Sequence, residues 1–519
     1  MQQRSRDLSG PLALILALVI AAAFVSVMLH AVDFPLRTHA DEASKVDAIL
    51  KGGNNFAHPL LMLELARAVN GFAGLTDPQS LVELGRSLAV LAGGLGVFAS
   101  FLLAREVLRA PLALAATLAV AVAPLVTVHA RYFKEDIFAL PFLLLALAAL
   151  IPTLKSPTRT RGILLGAAIG VAAAAKYIAA IILPFAIVVL LLNPAQAGDR
   201  RARRRLAGLV TLVAVAVFAL IQLPALWEFS RFRSAVLFDL HHAGQGHDVP
   251  VPVALTYGLF HLLNSLLPGL GLPLLVLGLL GLASPWLAPP ERRRPLLILA
   301  AFAVLWYALH ELSPLKPFPG YVRYALPLAP LLIILGAAFV HALMQRFHWS
   351  DAMRGVATAA MILAAAAAPA LYLSLRINGP TGDDPRVTVP ATVLASEPRT
   401  AFDHYARFGG VKPQASPQLR PTAATADIFV SSSFAYERFA QFGGAPEEPD
   451  PTRTKAAYYA ALFKLPYLEV ANGRPSFAFF NPVLRIVALD GNGNRLSRIA
   501  AALQHDAPNL NVRFVNTEP

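Results

Sequence analysis

Asp41 and Glu42 stand together just past the first apolar stretch of this 519-residue chain, and Glu135 with Asp136 forms a second acidic pair at the mouth of a later one. Cations flank them: Arg131 and Lys134 precede the second pair, Lys176 interrupts a long apolar run, and Arg323 precedes another. A carboxylate acts as a general base by taking the proton of an attacking hydroxyl. Lysine and arginine grip a phosphate and offset the charge that grows on a leaving oxygen. Acids gathered at the ends of segments that otherwise exclude charge point to chemistry more than to structure. A base beside phosphate grips at a membrane surface suits group transfer from a phosphorylated lipid carrier.

Other residues suit the same pocket. His58 precedes Pro59 in a polar stretch that begins at Asn54, and Tyr132, Tyr177, Tyr321 and Tyr324 lie near the cations. Each also has a structural use. Asp41 or Glu42 can cap the helix that follows, and Glu135 and Asp136 can open theirs. Lys176 and Arg323 can reach for the interface from an apolar segment, and the tyrosines suit an interfacial belt. His241, His242, His247 and Asp248 invite a metal reading, but two adjacent histidines converge poorly on one ion.

The elements that must hold these side chains are set by composition. Hydrophobic residues make up 56% of the chain and charged residues only 14%, against roughly 25% charged in soluble domains. The chain reads as a polytopic α-helical membrane protein with about 11 transmembrane helices. The spans read as 11–30, 82–103, 112–129, 137–152, 162–175, 177–193, 206–224, 256–283, 295–310, 324–344 and 355–375. The first follows Arg4 and Arg6 without a small-x-small cleavage site and is expected to be retained. The net charge of +13 does not imply nucleic acid. The basic residues fall in alternate short loops, such as Lys155–Arg161, Arg200–Arg205 and Arg292–Arg294, which places those loops and the N-terminus in the cytoplasm. That alternation holds only if the chain turns back at Lys176-Tyr177. The long loop 31–81 is then outside, and its segments 42–51 and 59–70 read as amphipathic surface helices. Cysteine is absent, so no disulfide or thiolate site exists.

After about residue 376 long apolar runs stop. Gly379-Pro380, Asp383-Asp384-Pro385, the proline-rich 412–421 and Glu447–Asp450 punctuate short strand-like runs at Val387–Leu394, Ile428–Ser431 and Leu484–Leu489. Helix-like stretches lie at 454–463 and 494–503. Residues 1–375 therefore read as the membrane domain and 376–519 as a small extracytoplasmic α/β domain.

With these residues in order, the chain resembles the GT-C superfamily of membrane glycosyltransferases. The closer similarity is to the family related to protein O-mannosyltransferases and aminoarabinose transferases (glycosyltransferase family 39-like). Asp41-Glu42 matches that family's first-loop Asp-Glu motif, and His58-Pro59-Leu60 matches its His-Pro-Pro element in part. Asp136 matches the acid that opens the fourth span. Lys176-Tyr177 matches its Lys-Tyr pair, and Arg323-Tyr324-Ala-Leu-Pro327 its Arg-Tyr-x-x-Pro element. The tail segments Ala426–Arg438 and Phe477–Ile486 are also similar.

The resemblance implies an inverting transfer of a sugar from a polyprenyl-phosphate-linked donor to an acceptor hydroxyl on a glycan, lipid or protein. Asp41 would be the base, Glu42 would shape the site and Asp136 would be the second carboxylate, with Glu135 beside it. Lys176 and Arg323, aided by Arg131 and Lys134, would hold the carrier phosphate. His58, Tyr177 and Tyr324 would line the pocket. Some relatives use a divalent cation, and Asp41, Glu42 and Asp136 offer hard oxygen ligands for Mg or Mn, although no spacing requires one. The setting implied is a bacterial plasma membrane with the site facing the periplasm. A transporter or flippase for an anionic lipid or solute would use the same outer cations, but would show paired broken helices and midplane charges.

Overall fold

In lipid a backbone must satisfy its own hydrogen bonds, and the uncharged apolar runs do so as helices. The computed structural model describes residues 10–30, 32, 41–193, 200–245, 258–313, 320–350, 352–364, 386–388, 394–396, 407–409, 414–415, 428–433, 436, 450–471, 483–506 and 510–515. The helices of the first loop and its flanks are α1 (Gly10–Leu29), α2 (Glu42–Lys51), α3 (Leu61–Ala73) and α4 (Pro78–Arg105). Next come α5 (Ala110–Val122), α6 (Pro124–His129), α7 (Glu135–Lys155), α8 (Arg159–Ala175), a 3-10 turn (Tyr177–Ile181) and α9 (Ile182–Leu191). The set continues with α10 (Arg200–Ile221), α11 (Phe229–Gln245), α12 (Leu267–Leu270), α13 (Leu272–Gly281) and α14 (Ser284–Leu287). It closes with α15 (Pro290–Leu312), a 3-10 turn (Gly320–Ala325), α16 (Leu328–Arg346) and α17 (Ala352–Ala364). Six helices are long and apolar enough to cross a membrane, or seven with the bent pair around α12 and α13 taken as one span. This is a multi-pass membrane protein.

Two expected spans are interrupted for visible reasons. Pro124 has no N–H to donate, so 112–129 divides into α5 and α6. Between α12 and α13 the chain bends by 110° at Gly271, whose φ of 77° and ψ of 153° suit only a residue without Cβ. Expected span 355–375 is helical over 352–364, and its remainder lies outside the described residues.

The break at Lys176 reverses the chain. At one end of α7, Arg161 donates to the carbonyls of Pro152 (2.8 Å) and Ser156 (2.9 Å). At the other end Lys176 pairs with Asp136. Asn193 then donates to Leu154 O at 2.8 Å, back at the first end. Residues 177–193 therefore retrace the length of α7, as the charge alternation requires. A glycine stripe brings α8 and α10 together in parallel. A Cβ on Gly166 would sit 2.7 Å from Val210 O, and one on Gly170 2.6 Å from Ala214 O. Small residues allow that approach where lipid supplies no hydrophobic drive.

The C-terminal part carries β1 (Arg386–Thr388), β2 (Leu394–Ser396), β3 (Arg407–Gly409), β4 (Gln414–Ala415), β5 (Ile428–Ser432), α18 (Asp450–Leu462), β6 (Tyr467–Ala471), β7 (Leu484–Ala488), α19 (Gly493–Asp506) and β8 (Asn511–Val515). Six strands form one mixed sheet in the order β4-β2-β5-β7-β6-β8, and β1 pairs with β3. Alternation along β5 and β7 separates two cores. Ile428, Val430 and Ile486 pack on Leu496, Ile499 and Leu503 of α19. Phe429 and Val487 pack on Tyr459 and Leu462 of α18. The expected run Val387–Leu394 is in fact the end of β1 and the start of β2. β6 and β8 were not expected, because Tyr467–Ala471 and Asn511–Val515 are short and mix polar with apolar residues.

Candidate active site

The first loop is fastened by Glu42. Its carboxylate is fully buried and receives Arg86 of α4 through Nε and Nη2, both at 2.9 Å. It also accepts the N–H of Phe133 at 3.0 Å. One acid thus ties the start of α2 to α4 and to the turn that leads into α7. Asp41, immediately before α2, has neither a capping bond nor a place inside the helix, and its carboxylate is held by Lys134. One helical turn later Lys45 reaches Glu135 at 3.0 Å, and Lys134 lies 3.9 Å from the same acid. The loop and the mouth of α7 are therefore joined by buried ion pairs.

The second cluster is built around Asp136 in the first turn of α7. Lys176 binds one carboxylate oxygen, and Arg323 Nε lies 3.3 Å from the other. The Lys176 ammonium also stands 4.3 Å over the ring of Tyr324. Tyr324 is fixed from behind: its carbonyl accepts Trp306 Nε1 at 2.8 Å, and its ring centroid is 5.2 Å from that of His310. Tyr177 donates to Phe56 O at 3.1 Å, which links the break in the membrane helices to the first loop.

These groups surround one cavity of about 950 Å³, counting its open mouth. Its wall includes His58, Lys134, Glu135, Asp136, Lys176, Tyr177, Arg323 and Tyr324 from the sequence expectation. Asp41 reaches it through Lys134. Glu42 sits behind the wall on Arg86. Arg131 is placed elsewhere: it is buried, and its guanidinium donates to His30 O at 2.7 Å, at the end of α1. The cavity also contains Asp239 of α11, His310 and Ser313, which sequence reasoning missed. Lys45 was missed too, although its spacing of four from Asp41 was visible. An apolar groove of about 520 Å³ begins at Tyr177 and runs along Ile169, Gly170, Ala173, Ala180, Leu183, Ala214, Val215 and Phe218.

Burial sets the protonation of groups outside the spans. It pushes His58 down to about 4, against the pull of Glu135. Burial, aided by Arg323, lowers Lys134 to about 8 although Asp41 pulls the other way. Burial and the charge of Glu135 raise Asp239 to about 6. The expected hard-ligand set does not converge, because Asp41, Glu42 and Asp136 are each engaged by a different cation. Among the described residues no group of three histidines and acids is placed to hold a metal. Side chains 242–248, Tyr321, and residues Arg37, His39 and Lys316 lie outside the described set.

Residues 81–222 match the family model described as dolichyl-phosphate-mannose-protein mannosyltransferase. The archaeal oligosaccharyltransferase AglB of Archaeoglobus fulgidus, solved with an inhibitory peptide and a dolichol-phosphate, superposes with a TM-score of 0.54 at 14% identity, over 88% of this chain and 73% of that one. The fold is that of the GT-C glycosyltransferases. The family match bears out, over its residues, the resemblance drawn from the motifs. ArnT of Cupriavidus metallidurans bound to undecaprenyl phosphate aligns at 21% identity and a TM-score of 0.48, over 64% of this chain. This chain spans 60% of that ArnT chain. The Pmt1-Pmt2 protein O-mannosyltransferase complex of S. cerevisiae, bound to its sugar donor, aligns at 18% identity with a TM-score of 0.37, over 42% of this chain and 34% of that one. No curated protein matches the chain at a significant level.

Proposed function

We propose that this GT-C protein is an inverting glycosyltransferase that moves a sugar from a polyprenyl-phosphate-linked donor to an acceptor hydroxyl. The observation that carries the reading is the clamp in which Lys176 and Arg323 share the single carboxylate of Asp136, at the head of the apolar groove that starts at Tyr177. The clamp suits a phosphate and the groove suits an isoprenoid chain. The lipid phosphates in the ArnT and AglB structures accord with this assignment.

In the transfer, the acceptor oxygen attacks the anomeric carbon while the bond from that carbon to the phosphate oxygen breaks. The bonding pair stays on the carrier phosphate, where Lys176 and Arg323 offset it. The hydroxyl proton passes to Asp41. Lys134 keeps Asp41 ionised and oriented, Glu42 holds the loop that carries it, and Glu135 holds Lys45 and Lys134 in place. His58, Tyr177 and Tyr324 line the sugar side.

The membrane domain over 1–375 carries the reaction, and the α/β domain over 376–519 sits on the same face. That face is the periplasmic side of a bacterial plasma membrane, with the N-terminus cytoplasmic. Supporting this, Arg161, Arg203 and Arg294 bond backbone or side-chain groups at the helix ends opposite the cavity, as the positive-inside rule expects. The acceptor is a hydroxyl on a glycan, lipid or protein.

The test is direct. Purified protein in detergent, given polyprenyl-phosphate-linked sugars and an envelope extract as acceptor, should release free polyprenyl phosphate with transfer of label. Binding of the carrier without release under any sugar and acceptor pairing would favour a transporter and defeat the proposal.

A further inference from the structure

Of the acids that line the cavity, Glu135 and Asp136 are consumed internally. Glu135 is bridged by Lys45 at 3.0 Å, and Asp136 is shared by Lys176 and Arg323. Asp239 differs. It lines the same cavity from α11, yet among the described residues no hydrogen bond or ion pair engages its carboxylate. A carboxylate kept in a pocket without a partner has lone pairs to offer a ligand, and hydroxyl donors are the groups that fit them.

The position of Asp239 narrows the ligand. Val236 and Leu240, one turn away on either side, line the cavity with it, so this face of α11 is turned inward. Phe232, a further turn back, packs edge-on against Phe56 at 5.7 Å and Tyr177 at 6.5 Å. That contact pins α11 over the site. Asp239 feels the charges of Glu135 and Lys176, so it lies close to the phosphate clamp. His58, Lys134, Asp136, His310 and Arg323 are the remaining ionisable groups of the cavity wall. A sugar attached to a phosphate on Lys176 and Arg323 would project into the space that Asp239 faces.

We infer that Asp239 binds a hydroxyl of the donor's sugar and so helps to set which sugar the protein accepts. This rests on the transferase reading above. The carboxylate recognises the sugar by accepting its O–H, and takes no part in bond making. Its raised proton affinity means that this recognition weakens as pH falls below about 6.

The experiment compares equilibrium binding of undecaprenyl phosphate alone with undecaprenyl phosphate bearing mannose, glucose, galactose or arabinose. Wild type, Asp239→Asn and Asp239→Ala are measured in detergent at pH 7.5 and pH 5. For wild type at pH 7.5, at least one sugar should tighten binding over the bare carrier. Both variants should bind the bare carrier as wild type does, and lose about tenfold of that sugar-dependent gain. Wild type should lose part of the gain at pH 5, whereas the variants should not. A gain that survives in Asp239→Ala, absence of a gain for every sugar, or an equal loss for bare and sugar-bearing carrier overturns the inference while leaving the transferase reading standing. Failure of wild type to bind undecaprenyl phosphate would instead bring down the transferase reading, and the inference with it.

Discussion

Lys176 and Arg323 are the side chains on which the proposed chemistry depends most. Each faces Asp136, so neither is an ornament of the interface, and each is available to a phosphate that displaces part of that pairing. Removing one well-placed electrostatic stabiliser costs about 2.7–4 kcal/mol of barrier. Lys176→Ala and Arg323→Ala should therefore each lower transfer by roughly 10²–10³-fold with normal expression. Steady-state release of carrier phosphate measures this, and wild-type turnover in either variant would remove that residue from the mechanism. Lys134 gives a pH test. Burial and Arg323 depress it to about 8, so it loses its proton, and Asp41 loses its cation, as pH rises through that value. Activity should decline on the alkaline side near pH 8. In Lys134→Arg, which stays charged, that limb should move upward or vanish. An unchanged limb would assign it to another group.

At the scale of elements, the first loop works because α2 is bolted down at its first residue. Glu42 and Arg86 are both fully buried, and removing one partner of such a pair costs about 3–5 kcal/mol. Glu42→Ala should accordingly lower the thermal unfolding temperature in detergent as well as activity. Asp41→Asn, at a carboxylate that is 29% exposed, should lose activity with little change in unfolding. Equal unfolding of the two variants would show that Glu42 is no anchor. The sequence made α2, α3 and the reversal at Lys176 legible, because amphipathic spacing and basic loops are local signals. It did not separate Glu42 from Asp41, since only the distant Arg86 distinguishes them. Asp239 escaped notice for a related reason: a single acid in an ordinary amphipathic stretch gains meaning only when α11 folds over the cavity. Arg131 looked like a phosphate grip beside the acidic pair, yet tertiary packing turned it to the carbonyl of His30.

For the molecule as a whole, the order of apolar runs and the sites of basic residues foretold which ends of the helices meet. They could not foretell the 110° bend at Gly271, because a glycine in an apolar run reads equally well as a packing residue. The chain contains no cysteine, so topology can be probed with single thiols in an otherwise silent background. Thr76→Cys, just before α4, should react with a membrane-impermeant maleimide added outside intact cells. Ser156→Cys, between α7 and α8, should react only after lysis. Labelling of both from one side would separate the acids from the cations that the site requires.

The clamp of two cations on one acid also bears on what happens after the sugar departs. Its surplus is a single positive charge, which a phosphodiester with one negative charge cancels. Cleavage turns that diester into a monoester able to carry a second charge, which the clamp no longer balances and which Asp136 repels. The spent carrier is thus electrostatically uncomfortable where its loaded form was at ease, and the same three side chains that welcome the donor hasten the exit of what remains of it.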